Sequence, residues 1–109
     1  MANTFKLITD SAVGTSAATV YTCPAATATT IIGLNLANIL SVSVTVDVQI
    51  ENNDGDNVYV VKSAIIPVGS SLVAVGGDQK IVMNASDVLK VTASQASAVD
   101  VTLSALEIT

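Results

Sequence analysis

Alternation of apolar and polar residues is the strongest structural signal along the chain, and it is clearest between Ser41 and Ile50. Valine or isoleucine occupies every second position of this segment, which is the period of a strand with one buried face. Serine, threonine, aspartate and glutamine occupy the positions between them. The pattern predicts a strand whose inward residues are Val42, Val44, Val46, Val48 and Ile50.

The C-terminal segment repeats this pattern and then changes phase. Val101 and Leu103 alternate with polar residues and are predicted to face the core, whereas Leu106 and Ile108 fall on the opposite face. A β-bulge near Ser104–Ala105 would turn the last two residues inward. Burial of both faces near the C-terminus would also explain the change.

Further short apolar segments, each bounded by glycine, proline, asparagine or aspartate, are also predicted strands. They are Thr4–Thr9, Ala18–Thr22, Thr29–Leu36, Val58–Ile66, Ser71–Val75, Lys80–Met83 and Val88–Ala93. The segment VGGDQK predicts a tight hairpin, because Gly-Gly accepts the positive φ of primed turns. No segment shows sustained helical periodicity.

Short strands separated by turns at regular spacing are typical of an antiparallel β-sandwich. The predicted fold class is therefore all-β, with an immunoglobulin-like or jelly-roll-like sandwich. A chain of 109 residues is long enough for one domain and too short for two. We expect a single sandwich domain over residues 1–109, in which residues 1–20 form an arm or an edge segment.

Composition limits the partners of this chain. Half of the residues are hydrophobic, and four lysines face nine acidic residues for a net charge of −5. Nucleic acid is not an expected partner, because neutralising phosphates needs clustered cations. The sequence also predicts no membrane span and no signal peptide. A surface with few charges is poorly protected against association, which predicts a homo-oligomer.

The acidic segment ENNDGDN, which begins at Glu51, has two interpretations. Alternating oxygen ligands around Gly55 resemble part of a calcium loop, with Asp54 and Asp56 as the candidate ligands. The glutamate that completes such a loop downstream is missing, however, and the chain continues directly into a predicted strand. Asn-Asp-Gly is also a favourable hairpin turn. The turn is the preferred interpretation, and a weak divalent cation site is the alternative.

Catalytic residues are not evident in the sequence. It contains no histidine, the most common general base near neutral pH. Cys23 has no imidazole to activate it and is expected to be a buried structural thiol. Asp47 and Asp100 lie on the polar faces of predicted strands and are expected to be solvated. The sequence therefore predicts no enzyme, no catalytic site and no cofactor.

Several segments resemble small virion structural proteins of tailed bacteriophages, especially cyanophages. The similarity begins with Tyr21, Thr22 and Pro24 in TVYTCPAATATTIIGLNLANI and extends to Thr109. It continues through VKSAIIPVGSSL, GGDQK and ASDVLKV to the ending DVTLSALEIT. These segments are strand and turn signatures without catalytic residues.

The resemblance implies a non-enzymatic component of the phage particle, made in the host cytoplasm and located in the virion. The first expectation is a capsid decoration (cement) protein, a homotrimer bound to the outside of the major capsid protein shell. A ring component of the tail, neck or baseplate is the alternative. A carbohydrate-binding module for host adhesion is a second alternative, although such modules usually rely on exposed aromatic residues and this chain has only Phe5, Tyr21 and Tyr59.

Overall fold

Residues 2–109, the part of the chain that the computed structural model describes, form nine β-strands joined by turns and loops. The prediction of an all-β fold is confirmed, and every predicted strand is present with small differences at its ends. The strands are β1 (Asn3–Val13), β2 (Ala18–Thr22), β3 (Ala28–Asn38), β4 (Val44–Glu51), β5 (Asn57–Ile66), β6 (Ser71–Val75), β7 (Ile81–Met83), β8 (Val88–Ala93) and β9 (Val99–Ile108).

The strands form two antiparallel sheets that pack face to face as one sandwich. The five-stranded sheet has the order β1-β9-β3-β6, and β7 also pairs with β3; the four-stranded sheet has the order β2-β8-β4-β5. If β6 and β7 are counted as one interrupted strand, every connection except the β4–β5 hairpin crosses between the sheets. This connectivity is that of a jelly roll, one of the two sandwich types that the sequence predicted.

The core lies between the sheets and is filled by every second residue along the strands of both sheets. Val44, Val46, Val101 and Leu103 are all buried, which confirms their predicted orientation. Val42 is an exception, because β4 begins only at Val44 and the Val42 side chain is 51% exposed. The alternation therefore begins one repeat before the strand does.

The phase change in β9 is explained by burial on both faces, the second of the two explanations, and the predicted bulge near Ser104–Ala105 is absent from β9 (Val99–Ile108). β9 pairs with β1 without interruption along this stretch, and the register slips only in β3, where Ile32 is the extra residue. Because β9 keeps its alternation, Glu107 lies on the inner face and is buried, while Leu106 and Ile108 are half-buried on the outer face.

The prediction that VGGDQK forms a hairpin was also wrong. A turn does form, with the Gln79 amide donating to the carbonyl of Gly76 at 3.2 Å and Gly77 at a φ of 62°. The strands on either side of it do not pair with each other, because β6 and β7 lie end to end along β3. The turn therefore interrupts one edge strand, and the chain continues in the same direction after it.

Candidate functional site

The acidic loop forms the turn of the β4–β5 hairpin, as the preferred interpretation predicted. The side-chain oxygen of Asn52 accepts the amides of Asp54 and Asp56, each at 3.0 Å. Gly55 adopts a φ of 92°, in the left-handed region that favours glycine. Residues 2–109 contain no group of three or more histidine, cysteine, aspartate or glutamate side chains that could hold a metal ion. The cation site at Asp54 and Asp56 stays a prediction.

Asp47 and Asp100 lie on outer faces and are partly exposed, as the sequence predicted, and each also binds the backbone of a neighbouring strand. Asp100 Oδ1 accepts the amide of Ala12 at 2.9 Å, and Asp47 Oδ1 accepts the amide of Ser63 at 2.7 Å. Ala12 and Ser63 have φ values of 56° and 54°, and both lie where the register shifts. Each aspartate therefore holds a bulge in the neighbouring strand.

Asp87 is a third structural carboxylate, and no pattern in the sequence singles it out. Its Oδ1 accepts the amide of Asn53 at 3.0 Å, and its Oδ2 accepts the amide of Asn84 at 2.8 Å. Asp87 is only 8% exposed. It joins the turn before β8 to the β4–β5 turn, a contact between residues distant in sequence.

A buried polar cluster joins the two sheets at one end of the sandwich. Tyr21 of β2 donates its hydroxyl hydrogen bond to Glu107 Oε2 at 2.5 Å, and its oxygen lies 2.8 Å from Thr29 Oγ1. Lys6 of β1 contributes an ion pair, with 3.2 Å between its Nζ and Glu107 Oε1. Glu107 is 6% exposed, so its charge depends on these two partners.

Titration of the cluster follows from these contacts. Burial, followed by the hydrogen bond to Glu107, raises the pKa of Tyr21 to about 12. The hydrogen bond from Tyr21, assisted by Lys6, holds the pKa of Glu107 below its usual value despite burial. The phenol therefore stays protonated and the carboxylate stays charged across the neutral range, which is the arrangement of a structural network.

Cys23 is buried beside this cluster, as the sequence predicted. The thiol is 1% exposed and lies 3.2 Å from Thr29 Oγ1 and 3.4 Å from the carbonyl oxygen of Thr27. The backbone of Cys23 exchanges hydrogen bonds with Ser86 and Asp87. These contacts fix the end of β2 against the turn before β8.

The outer face of the four-stranded sheet is polar, and we call it the polar face. An ion pair joins β8 to β4, with 2.5 Å between Lys90 Nζ and Glu51 Oε1. A second joins β5 to β4, with 3.7 Å between Lys62 Nζ and Asp47 Oδ2. Tyr59 and Ile65 of β5, which are 46% and 68% exposed, are the large hydrophobic residues on this side and lie opposite Gln49 and Thr45. The polar face consists of Thr45, Asp47, Gln49, Glu51, Lys90 and Thr92.

The outer face of the five-stranded sheet carries exposed apolar side chains among serine, threonine and asparagine residues such as Ser104, Thr102 and Asn35, and we call the set of apolar residues the apolar face. A row of directly opposed residues runs across four strands, from Phe5 through Leu106 and Thr30 to Val82. Phe5 and Val82, at the two ends of the row, are 77% and 64% exposed. The apolar face consists of Phe5, Leu7, Val73, Val82, Leu106 and Ile108.

An open depression of about 360 Å³ lies where the regular part of β1 ends. Asp10 and Asp100 supply its two carboxylates, and Thr9, Ser11, Val101 and Thr102 complete its lining. Asp100 already accepts the Ala12 amide, so the depression lies beside the bulge at Ala12. It gives the end of this strand a negative charge.

Comparison with known proteins finds a similar fold in a solved structure. No protein-family model matches the chain, and no curated protein matches it. One similar solved structure is from the Bacillus endospore appendages, which form a novel family of disulfide-linked pili. The similarity has a TM-score of 0.58 at 13% identity and covers 99% of this chain and 87% of the other. At this identity the match shows a shared sandwich fold. Residues 2–109 contain no helix long and apolar enough to cross a membrane.

Proposed function

We propose that the chain is a non-enzymatic structural subunit that assembles with copies of itself through the apolar face. The observation that carries the proposal is the contrast between the two outer faces. On the four-stranded sheet, threonine, glutamine and paired charges surround the exposed Tyr59 and Ile65, whereas the five-stranded sheet presents Phe5, Leu7 and Val82 to water and, within residues 2–109, has no ion pair on its outer face. Contiguous exposed apolar surface of this kind usually marks an interface.

The polar side chains of the fold support a structural role. The sequence has no histidine. Asp47, Asp87, Asp100 and Glu107 accept hydrogen bonds that hold turns, bulges and the buried cluster. Their oxygen atoms are used to stabilise the fold, so they offer little to a substrate.

We favour the role of a capsid decoration protein, bound as a homotrimer to the major capsid protein of a tailed phage. The resemblance of the strand and turn segments to phage virion proteins supports this role. Jelly rolls also occur in viral capsid proteins, although the same fold occurs in lectins and cupins and does not decide function alone. A ring in the tail, neck or baseplate would use the same apolar face.

A filament subunit is the second candidate, favoured by the similarity to the pilus structure. That structure belongs to disulfide-linked pili, whereas the only cysteine of this chain, Cys23, is 1% exposed. A filament of this chain would therefore be held by noncovalent contacts. A fixed final mass indicates a closed oligomer, and growth with concentration indicates an open filament.

The carbohydrate-binding alternative has less support. Tyr21 is buried in the polar cluster, and the two exposed aromatic residues, Phe5 and Tyr59, belong to different sheets. They do not form one platform on which a sugar ring could stack.

The proposal is tested by sedimentation velocity across the micromolar range. The wild-type chain is expected to self-associate, and Val82→Asp is expected to shift it toward monomer by placing a charge on the apolar face. Ile65→Asp is the matched control, since it adds the same charge at a similarly exposed strand position in the other sheet. A wild-type chain that stays monomeric, or equal effects of both variants, would contradict the proposal. Co-sedimentation with capsids that lack this protein tests the decoration role.

A further inference from the structure

The edge strands of the two sheets differ in regularity. β2 has a register shift after Thr19, β5 has two shifts against β4, and the line of β6 and β7 is interrupted between Val75 and Ile81. Such irregularities protect an edge from pairing with another chain. β1 keeps one register against β9 from Asn3 to Asp10. Within residues 2–109 it is the one edge with a long regular stretch.

The hydrogen-bonding direction along β1 follows from its first pair. Ala2 and Thr109 exchange two backbone hydrogen bonds, of 3.2 and 3.0 Å. In an antiparallel ladder the residues alternate between facing the partner and facing away. The amides and carbonyls of Phe5, Leu7 and Thr9 therefore point away from β9, toward the open side of the sheet.

We propose that β1 of a second copy of this chain pairs with β1, antiparallel and around a two-fold axis at Ile8. This inference rests on the proposed self-assembly and adds a second contact, at the edge of the sheet that carries the apolar face. A two-fold contact pairs two chains, so in a trimeric protein it would join two trimers and would not close one. Leu7 of each copy would exchange backbone hydrogen bonds with Thr9 of the other. The five-stranded sheets of both copies would then form one continuous sheet, a recurring mode of chain recognition.

Charge selects this register. Opposed residues must have their side chains on the same face of the joined sheet. The two-fold axis must therefore lie between the two copies of one residue, which then oppose each other. An axis at Lys6 would place two lysines opposite each other, and an axis at Leu7 would place Lys6 opposite Ile8. An axis at Ile8 places Lys6 opposite Asp10 of the second copy, twice by symmetry. The lysine of each copy then lies next to the acidic depression of the other.

The remaining contacts agree with this register. Lys6 is 47% exposed although Glu107 partners it, so its ammonium group can also reach a second carboxylate. Ile8 is half-buried and faces inward, and its counterpart would cover its exposed part. Phe5 and Leu7 of both copies lie on the same side of the joined sheet, and the two Leu7 residues are diagonal neighbours across the axis.

A cysteine cross-link tests the register. Opposed residues that do not share backbone hydrogen bonds have Cα atoms about 4.5 Å apart, within the range that a disulfide spans. Ile8→Cys is expected to form a covalent dimer on mild oxidation. Leu7→Cys is the control, because Leu7 of one copy lies diagonally from Leu7 of the other, farther apart than two opposed residues. Cys23 is buried and stays apart from this reaction. Cross-linking at position 7 in preference to 8, or at neither, overturns the proposal.

A charge variant gives an independent measurement. Asp10→Lys places a lysine opposite Lys6 of the second copy at both pairs, and should weaken the dimer roughly tenfold, the sum of two exposed charge pairs. Asp78→Lys is the control, with the same charge change in the exposed turn between β6 and β7. Equal effects overturn the β1 contact. Self-association without the cross-link overturns this inference and leaves the proposed function standing, whereas a permanent monomer overturns both.

Discussion

Three of the nine acidic side chains bind the backbone of the protein. Asp47 and Asp100 bond to amides at left-handed residues, and Asp87 bonds to amides in two turns. A hydrogen bond to a charged acceptor stabilises more than a neutral one. With Glu51 and Glu107, which pair with lysines, five of the nine acidic residues have a structural contact.

Tyr21→Phe should lower the free energy of unfolding by about 1–3 kcal/mol near neutral pH, because Glu107 loses a buried hydrogen-bond donor. The pKa of Tyr21 is raised from 10.0 to about 12, so folding favours the protonated phenol. Its contribution is fully present below about pH 10 and is lost as the pH rises through about 12. Denaturant unfolding at stepped pH measures this loss, which the variant should lack.

Tyr59→Phe is the control for this measurement, because Tyr59 lies on β5 outside the buried cluster and is 46% exposed. It should keep the alkaline loss of stability seen in the wild-type chain. An equal loss between wild type and Tyr21→Phe over this interval would contradict the role assigned to the phenol.

Leu103→Ala should destabilise the chain by about 2–5 kcal/mol, because Leu103 is fully buried between the sheets and its removal leaves a cavity. Thr45→Ala, on the polar face, should cost about 0.5 kcal/mol or less. Chemical denaturation of both variants checks the difference. Similar losses would mean that the assigned orientation of β4 and β9 is incorrect.

At the scale of elements, bulges determine how the strands end and bend. The extra residue at Ala12 in β1 and the one at Ser63 in β5 each take positive φ values, which cost energy in residues other than glycine. In both places an aspartate from the adjacent strand accepts the amide. The sequence thus places each strained residue opposite its own acceptor.

Asp100→Ala should expose the Ala12 amide and increase its hydrogen exchange, because the amide loses its acceptor. The expected cost in stability is about 1 kcal/mol. Asp54→Ala is the control, since its carboxylate lies in an exposed turn. Unchanged exchange at Ala12 would show that the carboxylate does not hold the bulge.

Removing calcium and magnesium with a chelator should leave the thermal midpoint unchanged, because the β4–β5 loop is closed by its own hydrogen bonds. A cation bound only to the folded chain would raise stability with its concentration. Scanning calorimetry in calcium and in excess chelator makes the comparison. A shift that disappears in the Asp54→Ala, Asp56→Ala double variant would establish a cation site.

The elements were predictable from sequence because their signal is local. Alternation identified β4 and β9, and Asn-Asp-Gly identified the turn between β4 and β5. The bulge at Ile32 had a local signal in β3, where the inward positions change phase between Ile31 and Leu34 and Gly33 interrupts the strand, but the phase change in β9 placed the predicted bulge in the wrong strand. The end-to-end arrangement of β6 and β7 depends on a third strand, β3, which no local pattern reveals.

The candidate interface needed the complete fold. Phe5, Leu106 and Val82 lie far apart in sequence, and only the order of the strands places them in one row. Glu107 could have been found from sequence by continuing the inward alternation of Leu103, but the two apolar residues Leu106 and Ile108 favoured the other phase.

At the scale of the whole molecule, the sandwich measures 45 × 26 × 22 Å and has chemically distinct sides. A contact made through the apolar face should weaken little between low and high salt, because screening acts on charges and not on apolar burial. Sedimentation velocity of the wild-type chain at both salt concentrations measures this. A steep loss of binding in high salt would instead indicate a contact dominated by ion pairs.

The burial of Cys23 makes the rate of its chemical modification a measure of local unfolding around β2. Its sulfur is the only thiol in the sequence and is 1% exposed, so a thiol reagent can react only with molecules in which β2 has separated from its neighbours. When reclosing is faster than modification, the modification rate is proportional to the population of that open form. A subunit held in an assembly should open less often than a free one. The reactivity of a single sulfur atom thus measures how strongly assembly protects the fold.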